Sequence, residues 1–122
     1  MAHKQWGLST HIDLFGCDVK KITSREKIQA FAYKLVRTLD MEAHGEPSVI
    51  WFGNGITEGY TMTQLLTTSC ITAHFAEKHR RASFIDIFSC KEYDAEKVAI
   101  FCAEFFDATI YNMKEITRGG LS

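Results

Sequence analysis

Side chains able to do chemistry crowd into one stretch, Tyr60-Thr61-Met62-Thr63-Gln64-Leu65-Leu66-Thr67-Thr68-Ser69-Cys70-Ile71-Thr72-Ala73-His74. Hydroxyls stand at 61, 63, 67, 68, 69 and 72, a thiol at 70 and an imidazole at 74. A serine hydroxyl becomes a nucleophile only when a neighbouring group takes its proton. His74 is a base of the right type for Ser69, and Thr61 adds a hydrogen-bonding hydroxyl. The same composition also suits a plain β-hairpin, because threonine is a good strand former. A hydroxyl near a histidine is common, so the residues alone leave both readings open.

Such groups need elements to hold them. Leu8 to Phe15 alternates as a strand does, and Gly16-Cys17-Asp18 turns the chain. Thr23, with Glu26 three residues on, has the form of a capping box. Behind it Ile28, Phe31, Ala32, Leu35 and Leu39 predict a helix running to about Asp40. After a breaker cluster from Gly45 to Ser48, Val49 to Phe52 reads as a buried strand, and Gly53-Asn54-Gly55 as a turn. Tyr60 to Leu66, Ile71 to Phe75 and Ser83 to Phe88 are further strands. The basic cluster Lys78-His79-Arg80-Arg81 reads as a solvated turn between the last two. Asp94 can cap a second helix with Val98, Phe101, Cys102 and Phe105 on its inner face, and Thr109 to Ile116 closes the chain as a strand.

Strands in hairpins with two helices among them predict an α+β fold, an antiparallel sheet carrying both helices on one face. Ile12-Asp13-Leu14-Phe15-Gly16-Cys17 echoes Ile85-Asp86-Ile87-Phe88-Ser89-Cys90, each ahead of a helix and a strand, which suggests internal duplication. Phe52, Leu66, Phe84, Phe88 and Tyr111 offer more apolar surface than one helical layer covers, so a homodimer is expected.

With 122 residues, the chain is expected to form one domain over positions 1–122. Its 46% apolar and 24% charged residues are ordinary for a globular protein, and a net charge of −1 gives no footprint for nucleic acid or an anionic membrane. Without a long apolar stretch at its start, neither a signal peptide nor a membrane span is read, and a cytoplasmic location is expected. Cysteines 17, 70, 90 and 102 have no Cys-x-x-Cys or Cys/His ligand spacing. A metal site is therefore not expected, and reduced thiols are.

Five motifs in order resemble the small, prokaryotic-type S-adenosylmethionine decarboxylase family over nearly the whole chain. His11-Ile12-Asp13-Leu14-Phe15-Gly16-Cys17-Asp18 is similar to that family's first strand and turn. Ser69 through His74 is similar to its cleavage motif, with Gly59 and Thr61 upstream where the family has glycine and a serine or threonine. Phe84-Ile85-Asp86-Ile87-Phe88-Ser89-Cys90 is similar to its strand ending in a catalytic cysteine, and Lys114-Glu115-Ile116-Thr117-Arg118-Gly119 to its closing segment. The resemblance implies self-cleavage between Thr68 and Ser69, with His74 and Thr61 assisting. Ser69 would become a pyruvoyl group, the only cofactor implied. Its carbonyl would form a Schiff base with a substrate amine and accept the electrons released with CO2. Cys90 would return a proton to the substrate's α-carbon.

The match also fails in places. The family usually has glutamate before the cleaved serine and histidine after it; Thr68 and Cys70 stand there. The family's threonine, aromatic and Pro-Glu after the second histidine are replaced by Phe75-Ala76-Glu77-Lys78. An aromatic platform for adenine is worth about 1–3 kcal/mol, and Ala76 removes it, leaving Phe75 or Phe52 as substitutes. Some members resembled are repurposed for L-ornithine or L-arginine, whose distal cation would need a carboxylate such as Glu77, Asp13, Glu58 or Asp86. The expectation is therefore a small amino-acid-type substrate, L-ornithine or L-arginine, with S-adenosylmethionine as the alternative. An unprocessed relative that binds a ligand or regulates an active partner is the reading from a different class.

Overall fold

The computed structural model describes residues 5–120. Six strands, β1 (Gly7–Phe15), β2 (Ser48–Phe52), β3 (Gly59–Leu66), β4 (Ser69–Ala76), β5 (Ala82–Ser89) and β6 (Ile110–Arg118), form one antiparallel sheet in the order β2-β3-β4-β5-β1-β6. Among the described residues the α-helices are a single turn, α1 (Val19–Ile22), and two longer ones, α2 (Arg25–Thr38) and α3 (Ala95–Phe105), and Gly55–Thr57 forms a short 3-10 turn. This is the expected α+β architecture. The two echoing segments lie side by side, because β1 and β5 pair with Ile12 opposite Ile85.

Alternation decides which side chains each face of the sheet receives. Ile12, Leu14, Met62, Ile71, Ala73, Phe75, Ile85 and Ile87 point to the helices and are fully or almost fully buried. Against them pack Ile28, Phe31, Ala32 and Leu35 of α2 and Val98, Ala99 and Cys102 of α3. Phe31 and Phe106 sit 4.6 Å apart, and Phe75 and Phe106 5.2 Å apart, at the centre of this layer. Burying each such ring contributes about 1.5–3 kcal/mol. Burial also pushes the Cys102 thiol far above its ordinary range, so it packs as a neutral hydrophobe.

One helix start differs from expectation. Ser24, not Thr23, caps α2, accepting from the Lys27 amide at 3.2 Å. Thr23 instead ends α1, whose own cap is Asp18. A one-turn helix thus follows the Gly16-Cys17-Asp18 turn, and with Ser24 as the cap Glu26 lies one position too early for a capping box. Asp94 caps α3 as expected, accepting from the Lys97 amide at 3.1 Å.

Among the described residues no α-helix lies on the other face of the sheet. This face presents Ile50 and Phe52 of β2, Thr61, Thr63 and Leu65 of β3, and Cys70, Thr72 and His74 of β4. Phe84, Asp86 and Phe88 of β5 continue it. Ile50, Phe52 and Leu65 are about half exposed. Leu66 and Tyr111 fall on the helical side instead: Leu66 is buried, and the Tyr111 hydroxyl donates to Glu96 at 2.8 Å. Among the described residues no helix is long and apolar enough to cross a membrane.

Candidate active site

The sheet gathers the chemistry-bearing residues at two places. Ser69 begins β4 directly after the turn Thr67-Thr68, and Cys90 directly follows β5, opposite that turn. The Thr68 hydroxyl donates to the Thr67 carbonyl at 2.6 Å and lies 2.7 Å from the Cys90 sulfur. With its own proton committed, the threonine oxygen accepts from the thiol.

Ser69 is nearly buried, and its hydroxyl donates to Ser89 at 2.7 Å. Ser89 in turn accepts from the Lys91 amide at 2.9 Å and donates to the Met41 sulfur at 3.6 Å. Lys91 reaches back to the carbonyl and carboxylate of Asp40, tying this corner to the end of α2. The sequence reading missed Ser89. Its only signal was its place beside Cys90, and its pairing with Ser69 depends on sheet register.

A cleft of about 330 Å³ opens beside Cys90, lined by Trp6, Gly7, Leu8, Ser89, Cys90 and Tyr93 among others. Gly7 forms part of this wall for a steric reason: a Cβ there would lie 2.4 Å from the Ser89 carbonyl oxygen. Trp6, about half exposed, stacks on Phe88 with ring centroids 5.5 Å apart. The Tyr93 hydroxyl lies 2.5 Å from that of Thr10, and burial raises its pKa above the ordinary tyrosine value.

The second place is the far end of β4. His74 Nδ1 lies 2.9 Å from the Thr61 hydroxyl across the β3–β4 pairing, and Gly59 sits just beyond. A Cβ on Gly59 would fall 1.8 Å from the Phe75 carbonyl, so only glycine lets β3 start this close to β4. His74, His79, Ile56, Ala76 and Phe84 line a largely apolar cleft of about 540 Å³ here. Lys78 pairs with Glu58 at its edge, holding that carboxyl below its usual range.

Ser69 and His74 are not brought together within the chain. Five residues of strand separate them by about 17 Å, and the odd count puts their side chains on opposite faces. Thr68, Ser69 and Cys90 form one cluster, Thr61 and His74 the other.

The substrate-binding expectations need correction at Phe75. Its ring is buried in the core against Phe106 and cannot meet a ligand. Phe52 is exposed at the sheet edge on the helix-free face, away from Cys90. Glu77 begins the turn between β4 and β5, beside Lys78, and Asp86 is engaged with His11 at 2.7 Å. None of these three adjoins the Cys90 cleft.

The sheet thus sets a serine at a hairpin turn with a thiol against that turn. The family model described as S-adenosylmethionine decarboxylase matches residues 8–119, and the chain belongs to that family. It is 29% identical over 117 residues to S-adenosylmethionine decarboxylase proenzymes of Clostridium botulinum strains Langeland and Hall, covering 95% of this chain and 97% of each relative. Its fold matches the crystal structure of the adenosylmethionine decarboxylase from Aquifex aeolicus VF5 with a TM-score of 0.81. That match is 20% identical and covers 98% and 96% of the two chains.

These matches overturn the expectation of L-ornithine or L-arginine as substrate, since the family model and the relatives named are all S-adenosylmethionine decarboxylases. Ala76 lies at the His74 end of β4 and lines the cleft there, not the one beside Cys90 of its own chain, where Trp6 stands.

Proposed function

We propose that the chain is a precursor that cleaves itself between Thr68 and Ser69 and then decarboxylates S-adenosylmethionine with the pyruvoyl group left on residue 69. The observation that carries this reading is the cluster at the turn: the Thr68 hydroxyl lies against the Cys90 thiol, and the Ser69 hydroxyl is held on neighbouring Ser89. The residues present fit the group. Ser69 supplies its carbon skeleton, and an exposed turn lets the chain part there.

Cleavage begins when Ser69 Oγ attacks the Thr68 carbonyl carbon. The C–N bond breaks, the hydroxyl proton passes to the freed amine, and an ester replaces the amide. A base then removes the Ser69 Cα proton, and the C–O bond breaks to expel residues 1–68 as a carboxylate. Water displaces the nitrogen of residue 69 as ammonia, leaving a ketone. These steps need a proton-transfer group and a donor for the intermediate's oxygen, the roles His74 and Thr61 suit.

Because those two lie about 17 Å from Ser69 in their own chain, a second copy is needed to supply them. The helix-free face, with half-exposed Ile50, Phe52 and Leu65, is the surface on which a homodimer would form. Each site then takes Ser69 and Cys90 from one protomer and Thr61 and His74 from its partner.

A pyruvoyl group supplies an electron sink for loss of CO2. Cys90 holds the proton to be returned to the substrate α-carbon. Trp6 offers a flat surface on which adenine can stack, a contact worth about 1–3 kcal/mol. The reading is tested by intact mass of purified protein followed by labelled CO2 release. Two fragments meeting between Thr68 and Ser69, with turnover of S-adenosylmethionine, are expected. A single 13.9 kDa chain after long incubation would favour an unprocessed binding protein instead.

A further inference from the structure

The turn before Ser69 is built against its own residues. Leu66 pairs with Ser69, so Thr67 and Thr68 alone make the hairpin loop. Two-residue hairpin loops that match the twist of a sheet need positive φ at their first residue. Here the first, Thr67, is not in the positive-φ region, while the second, Thr68, has φ of 60°. That is the pattern of a type II turn, whose second central position calls for glycine.

Among the described residues four other non-glycine positions have positive φ: Asp40, Arg80, Arg81 and Asp107. None of them is β-branched, and aspartate tolerates this region well. A threonine there is a steric outlier, because its branched Cβ crowds the backbone. Such a conformation persists only where the surroundings over-determine it, and here they do. Thr67 N donates to the Glu42 carbonyl at 3.2 Å, and Ala43 bridges to Leu66. Ser69 is anchored on Ser89, and Cys90 holds the Thr68 side chain. The turn is clamped from three sides in a backbone its sequence disfavours.

We propose that Thr68 is a positioning residue whose strained left-handed backbone loads the Thr68–Ser69 bond for self-cleavage. The strain is carried by the intact chain and vanishes once residue 68 becomes a free C-terminus. Part of it is therefore recovered as the amide carbon opens to the Ser69 oxygen and the C–N bond breaks. This rests on the self-cleavage reading above, and it adds that the threonine's backbone, not its hydroxyl, accelerates the step.

Thr68→Gly and Thr68→Asn permit positive φ without the branched Cβ, whereas Thr68→Val keeps the branch and deletes the hydroxyl. Relief of a left-handed penalty of this kind is expected to slow cleavage roughly tenfold in the glycine and asparagine variants. The valine variant loses the Cys90 clamp but keeps the branch, so it should be slowed less than either. In a Ser69→Ala background, which cannot cleave, the glycine and asparagine variants should melt higher than the threonine parent. A merely structural Thr68 would give the opposite sign. Cleavage of Thr68→Gly and Thr68→Asn as fast as wild type, or a slowing in Thr68→Val equal to theirs, would overturn the proposal. A wild-type chain that never cleaves overturns the self-cleavage reading with it, whereas unchanged rates in a chain that does cleave overturn the strain alone.

Discussion

The two ends of β4 are built alike and placed for different work. At its start, Ser69 meets Ser89 on the helical side and a thiol stands against the turn; at its far end, His74 meets Thr61 on the helix-free face. The first end is braced by α2 through Met41 and Lys91. The second is held by its pairing with β3 and β5, by Phe75 in the core and by an exposed ion pair of Lys78 with Glu58. A nucleophile belongs on the rigid, partly buried end, where its rotamer is held. A proton-transfer group on an open face, by contrast, is presented outward. On the proposed function, one strand carries two halves of a reaction that it never joins itself.

Removing the nucleophile should have the largest effect. Ser69→Ala is expected to abolish cleavage, read as a single band on a denaturing gel, while circular dichroism stays that of the folded chain. Loss of the proton donor comes next. Cys90→Ala should still give two fragments yet lose about 10²–10⁴-fold in turnover, the usual worth of general acid catalysis. Undiminished decarboxylation would return Cys90 to a structural role. Trp6→Ala should raise KM for S-adenosylmethionine by roughly 5- to 100-fold with a smaller change in kcat, as expected for a stacking contact. An unchanged KM would place adenine elsewhere. Ser89→Ala, the smallest of the four, deletes the hydrogen bond that orients Ser69 along with those to Lys91 and Met41. It should slow cleavage about fivefold without stopping it, measured by the time course of fragment appearance.

Much of this was legible in the residues. Alternation in Leu8–Phe15 and Ser83–Phe88, and the 3/4 spacing of Ile28, Phe31, Ala32 and Leu35, give the strands and helices because burial on one face demands those periods. The reach of Cys90 to Thr68 and of Thr61 to His74 follows from the register of β3, β4 and β5, which local pattern does not set. Phe75 shows the limit most clearly. As an aromatic after His74 it was read as a substrate platform, but odd positions in β4 face the helices, and its ring went to the core. Trp6 went unread because its importance lies in standing beside Cys90, across the β1–β5 pairing. The cap at Ser24 was misplaced by one residue, since Thr23 and Ser24 are both good capping residues and α1 took the first.

The separation of Ser69 from His74 makes the central claim a question of which chain each comes from. Co-expression of a Ser69→Ala chain with a differently tagged His74→Ala chain answers it, read by mass spectrometry of each. Neither variant should cleave alone. Mixed dimers would rebuild one complete site, with Ser69 from one protomer and His74 from its partner. Cleavage between Thr68 and Ser69 is then expected only in the His74→Ala chain, in about half of its copies, the share that random pairing places in mixed dimers. A His74→Ala chain that stays intact in folded mixed dimers would contradict the shared site.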